Sequence, residues 1–148
     1  MISPEQIRRF SHFAGVNADS LRQVAMISDE LEFEAGRPIF EEGQAADRLY
    51  VVVEGEVDVQ CVLRDGTRRT VDTRVGGDLL CWSSIVAPRQ TQLGAVARTY
   101  TRLISIDAPS LMEIMEADAV LGRAVMTAVA GEIGHRLTGA RMQLAARD

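Results

Sequence analysis

The spacing of apolar residues changes character three times along the chain. At the start it is helical: Ser3-Pro4-Glu5-Gln6 places a capping serine before a proline at the first helical position, and Gln6 closes a capping box. A short helix is predicted to about Phe10. Asn17 is a second N-cap, and Leu21, Val24 and Ala25 share one face of a helix ending near Ile27. Phe10, Phe13 and Val16 lie between the two as an apolar staple.

Over residues 31–107 the period falls to two. Leu31 and Phe33 alternate with acidic residues, and strands are predicted at Pro38–Phe40, 49–54 and 57–63, where Val57, Val59, Cys61 and Leu63 alternate with more polar neighbours. Arg64-Asp65-Gly66-Thr67 predicts a type I′ hairpin with a return strand over 69–75, and further strands follow at 93–97 and 102–106. Residues 78–89 are too irregular for a strand and long enough for one helical turn. Helical spacing then resumes. Asp107 caps a helix through Leu111, Ile114 and Met115, with Pro109 near its start, and Asp118 opens a longer one to about Ala146. On it Met126, Val129, Ile133, Leu137, Ala140 and Leu144 follow steps of three and four. That stripe packs on its own strands or forms a two-helix dimer seam, which Ala128, Gly131 and Gly134 would allow to approach closely. The fold class is mainly β, a sandwich or barrel with flanking helices. It divides into N-terminal helices (1–28), a β-roll (29–107) and C-terminal helices (108–148).

Composition narrows the function classes. With 148 residues, 47% hydrophobic and 25% charged, the chain fits one folding domain. A net charge of −5, from 21 acidic and 16 basic residues, repels nucleic acid and anionic lipid, so direct DNA binding and membrane association are not expected. Every basic residue is arginine; Arg64, Arg68, Arg69 and Arg74 are the nearest approach to a cluster, read as a solvated hairpin tip. Cys61 and Cys81 form no redox or zinc motif and are expected as buried small hydrophobes. No leader or membrane span is apparent, which points to the cytoplasm. His12 and His135 lie on helical segments far apart, unlike a strand-borne metal site, and no nucleophile paired with a base is visible. No metal and no catalytic residue are assigned.

One stretch carries a more specific signal. Gly36-Arg37-Pro38-Ile39-Phe40-Glu41-Glu42-Gly43, then Leu49-Tyr50-Val51-Val52-Val53-Glu54-Gly55-Glu56-Val57-Asp58-Val59, sets β-rich runs between turn glycines at fixed spacings. The order resembles the cyclic nucleotide-binding domain family. The resemblance implies a double-stranded β-helix, or jelly roll, with N-terminal helices and a long C-terminal helix. In that family a short helix between two roll strands captures the cyclic phosphate on its N–H groups with an arginine as counter-charge.

The register carried by Gly77, Asp78, Ser84, Ile85, Pro88 and Arg89 places Arg89 on the phosphate-binding arginine. Cys81 falls on a family glycine, and Trp82 on the glutamate that bonds the ribose 2′-hydroxyl. Indole has no comparable acceptor, and losing a charged one removes about 1.5 to 3 kcal/mol of binding. Trp82 then either fills the pocket or offers a stacking platform to a different ligand. Ser83 completes the short helix, Gln90 replaces a small phosphate contact beside Thr91, and Thr138 and Arg141 on the last helix fall where the purine is contacted.

The implied ligand site is thus Gly77, Asp78, Cys81, Trp82, Ser83, Ser84, Arg89, Gln90, Thr91 and Arg141, with cAMP or cGMP as the implied ligand and no cofactor. Catabolite-activator-type regulators continue into a helix-turn-helix domain, whereas this chain stops at Asp148. Two readings follow. One is a non-enzymatic sensor that binds a small anionic nucleotide and dimerises through its C-terminal helix; the other is a ligand-independent module for a protein partner that has lost its pocket.

Overall fold

The structure, a computed structural model, describes residues 2–147. Helix α1 (Pro4–Arg8) begins with the expected capping box between Ser3 and Gln6, a single 3-10 turn follows at Ser11–Phe13, and α2 (Ala18–Met26) starts on an Asn17 side chain that accepts the Ser20 N–H. Eight antiparallel strands come next: β1 (Ser28–Phe33), β2 (Pro38–Phe40), β3 (Arg48–Glu54), β4 (Val57–Val62), β5 (Arg68–Arg74), β6 (Leu79–Leu80), β7 (Gly94–Ala97) and β8 (Thr101–Asp107). They form two four-stranded sheets, ordered β1-β8-β3-β6 and β2-β7-β4-β5. Helices α3 (Ala108–Ala117) and α4 (Ala119–Ala146) start on Asp107 and Asp118, whose carboxylates accept the Ser110 and Leu121 N–H groups. The double-stranded β-helix with flanking helices is therefore the fold of the chain.

The first sheet lies between two cores, which explains why Leu-Tyr-Val-Val-Val runs without polar alternation. Along β3, Leu49, Val51 and Val53 face the helices, while Tyr50 and Val52 face the second sheet. β8 divides the same way, with Ile104 and Ile106 on the helix side and Leu103 inside the roll. The helix-side core collects Ile7, Phe13, Leu21, Val24, Leu111, Leu121, Val125 and Val129; the roll interior holds Val57, Val59, Leu80 and Ala95.

Three expectations need correction. The β4–β5 hairpin is not type I′, since that turn requires two residues with positive φ and only Gly66 (87°) has one. The Gly66 N–H donates to Leu63 O and the Leu63 N–H to Thr67 O, while Asp65 Oδ1 accepts from the Thr67 N–H and hydroxyl; this is a three-residue loop with glycine at the left-handed position. Arg74 is not part of a solvated tip but is buried. Cys61 and Cys81 are unpaired and only partly buried. Two elements escaped the sequence pattern: the 3-10 turn at Ser11–Phe13 and the two-residue strand β6.

The turn between β3 and β4 is the most crowded of the glycine positions. Gly55 has φ of 97°, and a Cβ there would sit 2.4 Å from Tyr100 O and 2.8 Å from Thr101 Cα. At Gly66 (φ 87°) the same atom would meet nothing within 4 Å. Gly55→Val should therefore cost about 3 kcal/mol and Gly66→Ala only about 1 kcal/mol, through backbone strain alone. Urea unfolding of both variants checks this, and equal losses would contradict the close approach at Gly55.

Candidate functional site

The segment from Gly77 to Thr91 leaves β5 through a turn built on Asp78. Its Oδ2 accepts the Val75 N–H at 2.8 Å, its Oδ1 lies 3.4 Å from Arg74 Nη2, and its backbone pairs with Val52. Gly77, at φ 92°, donates its N–H to Val52 O, and its own carbonyl lies 3.2 Å from His12 Nε2. After β6 the chain turns at Cys81, held left-handed at φ 65°, into a single 3-10 turn at Trp82–Ser84. The Ser84 hydroxyl donates back to the Cys81 carbonyl at 2.8 Å, and Ser83 Oγ lies 3.9 Å from Cys81 Sγ. Burial pushes the Cys81 thiol up to about 11, so at neutral pH it is protonated and a poor nucleophile.

Trp82 turns toward the molecule's own core. Its ring is half-buried and packs with the helix-side cluster that includes Leu79 and Ile85, not with the roll-interior cluster of Val52, Val57 and Leu80. Arg89 is exposed, adopts φ of 60°, and makes no ion pair among the described residues. Its backbone is fixed from both sides, its N–H donating to Val86 O at 3.2 Å and its carbonyl accepting the Ala46 N–H at 2.9 Å. Gln90 is exposed and bridges to Ala45 through the backbone.

Thr91 is buried and already occupied. Its hydroxyl donates to Glu41 O at 2.5 Å and accepts the Gln44 N–H at 2.8 Å, while its backbone exchanges bonds with Gly43 and Gln44. It is the clasp that closes the segment against the loop after β2. Arg141 lies apart, in a shallow groove on α4 with Thr138, Met142, Leu144 and Ala145, and shares no cleft with the 77–91 segment. The predicted residues Gly77 through Thr91 are thus brought together in one loop, and Arg141 is not joined to them.

What the sequence pattern missed is a charged cluster between β5 and α4. Arg74 Nη2 donates to Glu132 Oε2 at 2.6 Å, with only 8% and 7% of the two side chains exposed. Arg74 Nη1 lies 3.4 Å from Asp72 Oδ2, which is also 3.0 Å from His135 Nε2 and 3.8 Å from Arg136 Nη1. Burial raises the Glu132 carboxyl above its ordinary range, and Arg74 pulls it partly back; burial lowers Arg136. A cleft of about 390 Å³ opens here, lined by Val71, Asp72 and Leu93 and, on α4, by His135, Arg136, Gly139, Ala140 and Gln143. The Glu132-Arg136 spacing, one helical turn apart on α4, was the available signal.

The family model of the cyclic nucleotide-binding domain matches residues 30–118, more than half of the chain. The chain belongs to the cyclic nucleotide-binding domain family. The match runs from β1 through the Gly77–Thr91 segment and α3 and stops at the α4 cap. Among solved structures, a Geobacter metallireducens protein assigned to the cyclic nucleotide-binding proteins is 33% identical, with a TM-score of 0.82 over 93% of this chain and 99% of its own. The N-terminal domain of a Streptomyces coelicolor transcriptional regulator is 25% identical, with a TM-score of 0.69 over 93% and 94%. A CRP-like cAMP-activated global transcriptional regulator of Mycobacterium tuberculosis is 26% identical over 107 residues, 72% of this chain. The match covers 48% of that regulator, so the chain spans about half the length of the curated relatives it matches. Among the described residues no helix is long and apolar enough to cross a membrane.

Thr91 and Arg89 should separate scaffold from site. Thr91→Val leaves the Gln44 N–H unpaired and should cost about 1 to 3 kcal/mol. Arg89→Gly removes a left-handed side-chain penalty where nothing is packed, and should raise stability by about 0.5 to 1 kcal/mol. Denaturant midpoints of the two variants should move in opposite directions; a loss of stability in Arg89→Gly would contradict the strain assigned there.

Proposed function

We propose that the chain is a non-catalytic sensor module of the cyclic nucleotide-binding type, whose 77–91 segment meets a small anionic, nucleotide-like ligand through Arg89. One observation carries this reading. Among the described residues, Cys81 and Arg89 are the non-glycine residues with positive φ, and both fall in this one segment. Such strain persists where the surroundings impose it, and it concentrates at ligand-binding turns. The surroundings here are the β6 pairing at one end and the Thr91 clasp at the other, which hold Arg89 exposed, without an ion-pair partner among the described residues.

Ribose recognition of the usual kind is weakened by Trp82, whose place in the helix-side core leaves no carboxylate in the turn. That same packing favours a second reading, a ligand-independent interaction module that keeps the roll for its shape. The titration of cAMP and cGMP by calorimetry separates the two. Native protein should bind weakly or undetectably, with any residual anion binding abolished in Arg89→Ala. Trp82→Glu with Cys81→Gly should gain about ten- to hundredfold in affinity if the remaining site is intact. Submicromolar binding by native protein that survives Arg89→Ala would overturn both the placing of Arg89 on the anion and the weakened pocket, and a double variant without gain favours the interaction module.

Assembly as a homodimer through α4 belongs to the same proposal. The helix divides its stripe: Leu121, Val125 and Val129 go to the chain's own core, Ile133 is half-buried against it, and Met126, Leu137, Ala140 and Leu144 stay exposed. With Ala130 and Gly134 between them, the exposed apolar positions suit a symmetric two-helix seam. Leu137, 59% exposed and outside both cores, is the position to test. Leu137→Glu should convert a dimer to a monomer in light scattering while the monomer still unfolds in a single cooperative transition. A native chain that is monomeric at every concentration would contradict the seam.

A further inference from the structure

A second cleft, of about 900 Å³, opens between the 3-10 turn at Ser11–Phe13, the turn from β5 to β6, and α4 from Val120 to His135. It reaches Gly77 and Asp78 but neither Trp82 nor Arg89, and no residue of the roll-interior core lines it. Val16, Val120, Ala124 and Ala128 supply its apolar lining, and Ser11, His12, Arg123, Thr127 and His135 its polar lining. That size and mixture suit a small molecule.

Two features mark the cleft as built. Its base is the Arg74–Glu132 pair, only 8% and 7% exposed, and Arg74 Nε and Glu132 Oε1 are buried there without a hydrogen-bond partner. Native interiors leave few such atoms, and chiefly at functional sites. Gly15 and Gly131 keep the lining bare. Neither has a left-handed φ, and a Cβ at either would meet nothing within 4 Å, so neither conformation nor packing within the chain calls for glycine. In α4 a glycine lowers helix stability. What its missing side chain leaves is room in the cleft.

The polar lining selects a ligand class. Arg123 is exposed and makes no ion pair among the described residues, so its guanidinium can take a carboxylate or a phosphate. Thr127 stands one turn further along the same face of α4. His12 Nε2 lies 3.2 Å from Gly77 O. A carbonyl only accepts, so Nε2 carries the hydrogen, and Nδ1 of the neutral ring is an acceptor suited to a hydroxyl.

We propose that this cleft is a second ligand site, for a compact hydroxylated anion: a phosphate or carboxylate on Arg123, hydroxyl groups on His12 and Thr127, and the carbon skeleton against Val16, Ala124 and Ala128. Through Gly77 and Asp78 its occupant touches the start of the 77–91 segment without entering the roll. The site does not rest on Arg89 and stands whether or not a nucleotide binds there.

Amide chemical-shift titration of the full labelled chain tests it, with glucose 6-phosphate and gluconate as the two anions and glucose and inorganic phosphate as controls, each to about 10 mM. At least one of the two anions should give saturable shifts at residues 11–16, 76–78 and 120–131, and the tighter of them identifies the head group. Glucose and inorganic phosphate should bind about tenfold more weakly or not at all. Arg123→Gln should weaken the anion about tenfold or more, and Gly131→Leu should abolish binding with no loss of melting temperature, since it fills the cleft and favours the helix. The same shifts should persist in Arg89→Ala. Silence of both anions at these residues, inorganic phosphate or glucose binding as tightly as either, unchanged affinity in Arg123→Gln, or loss of the shifts in Arg89→Ala would each overturn the proposal. A blank cAMP titration beside the expected shifts would instead remove the Arg89 reading and leave this site.

Discussion

The guanidinium of Arg74 is the point on which the arrangement of the functional face turns. It is almost wholly buried and touches Asp72 on its own strand, Asp78 at the start of the 77–91 segment, and Glu132 on α4. Strand edge, segment and helix are therefore positioned by one charge. Such a group is worth more as a positional constraint than as a source of stability, because desolvating an arginine and its partners offsets much of the attraction between them. Removing a single partner leaves an uncompensated charge inside the protein, whereas replacing all of them by apolar groups does not.

Around that anchor the 77–91 segment is a strained loop held at both ends. β6 ties its beginning to β3 through Leu79 and Leu80, and Thr91 ties its end to the loop after β2. What lies between has little freedom, which is why Cys81 and Arg89 can be kept in conformations that side chains disfavour. The segment has also turned part of itself inward: the Ser84 hydroxyl satisfies the Cys81 carbonyl and the Trp82 ring completes the helix-side core. Arg89 is the group left facing outward, with no ion-pair partner among the described residues.

Much of this was legible from residue order because the determinants are local. The caps at Ser3, Asn17, Asp107 and Asp118 act within three residues, and the strands followed from alternation and turn glycines. Local signals also misled. Asp65-Gly66 suggested a two-residue turn, but the Asp65 carboxylate's bonds to Thr67 accompany a three-residue loop, a choice that dipeptide identity does not encode. Leu79-Leu80 pairs as a strand only because β3 lies beside it. The side of the sheet that Trp82 faces depends on the left-handed turn at Cys81, where glycine would have been the expected residue. The burial of Arg74 was not legible from Asp72 and Asp78 beside it, since its shortest ion pair is with Glu132, 58 positions away.

The account rests on Arg89 being held ready for an anion by a rigid segment, and amide chemical-shift mapping tests that most directly. Labelled protein titrated with cAMP to millimolar concentration, where binding too weak for calorimetry still registers, should show shifts confined to Cys81 to Thr91, absent in Arg89→Ala while the remaining spectrum is unchanged. Shifts confined to other surfaces, or a full set of segment shifts persisting in Arg89→Ala, would contradict it.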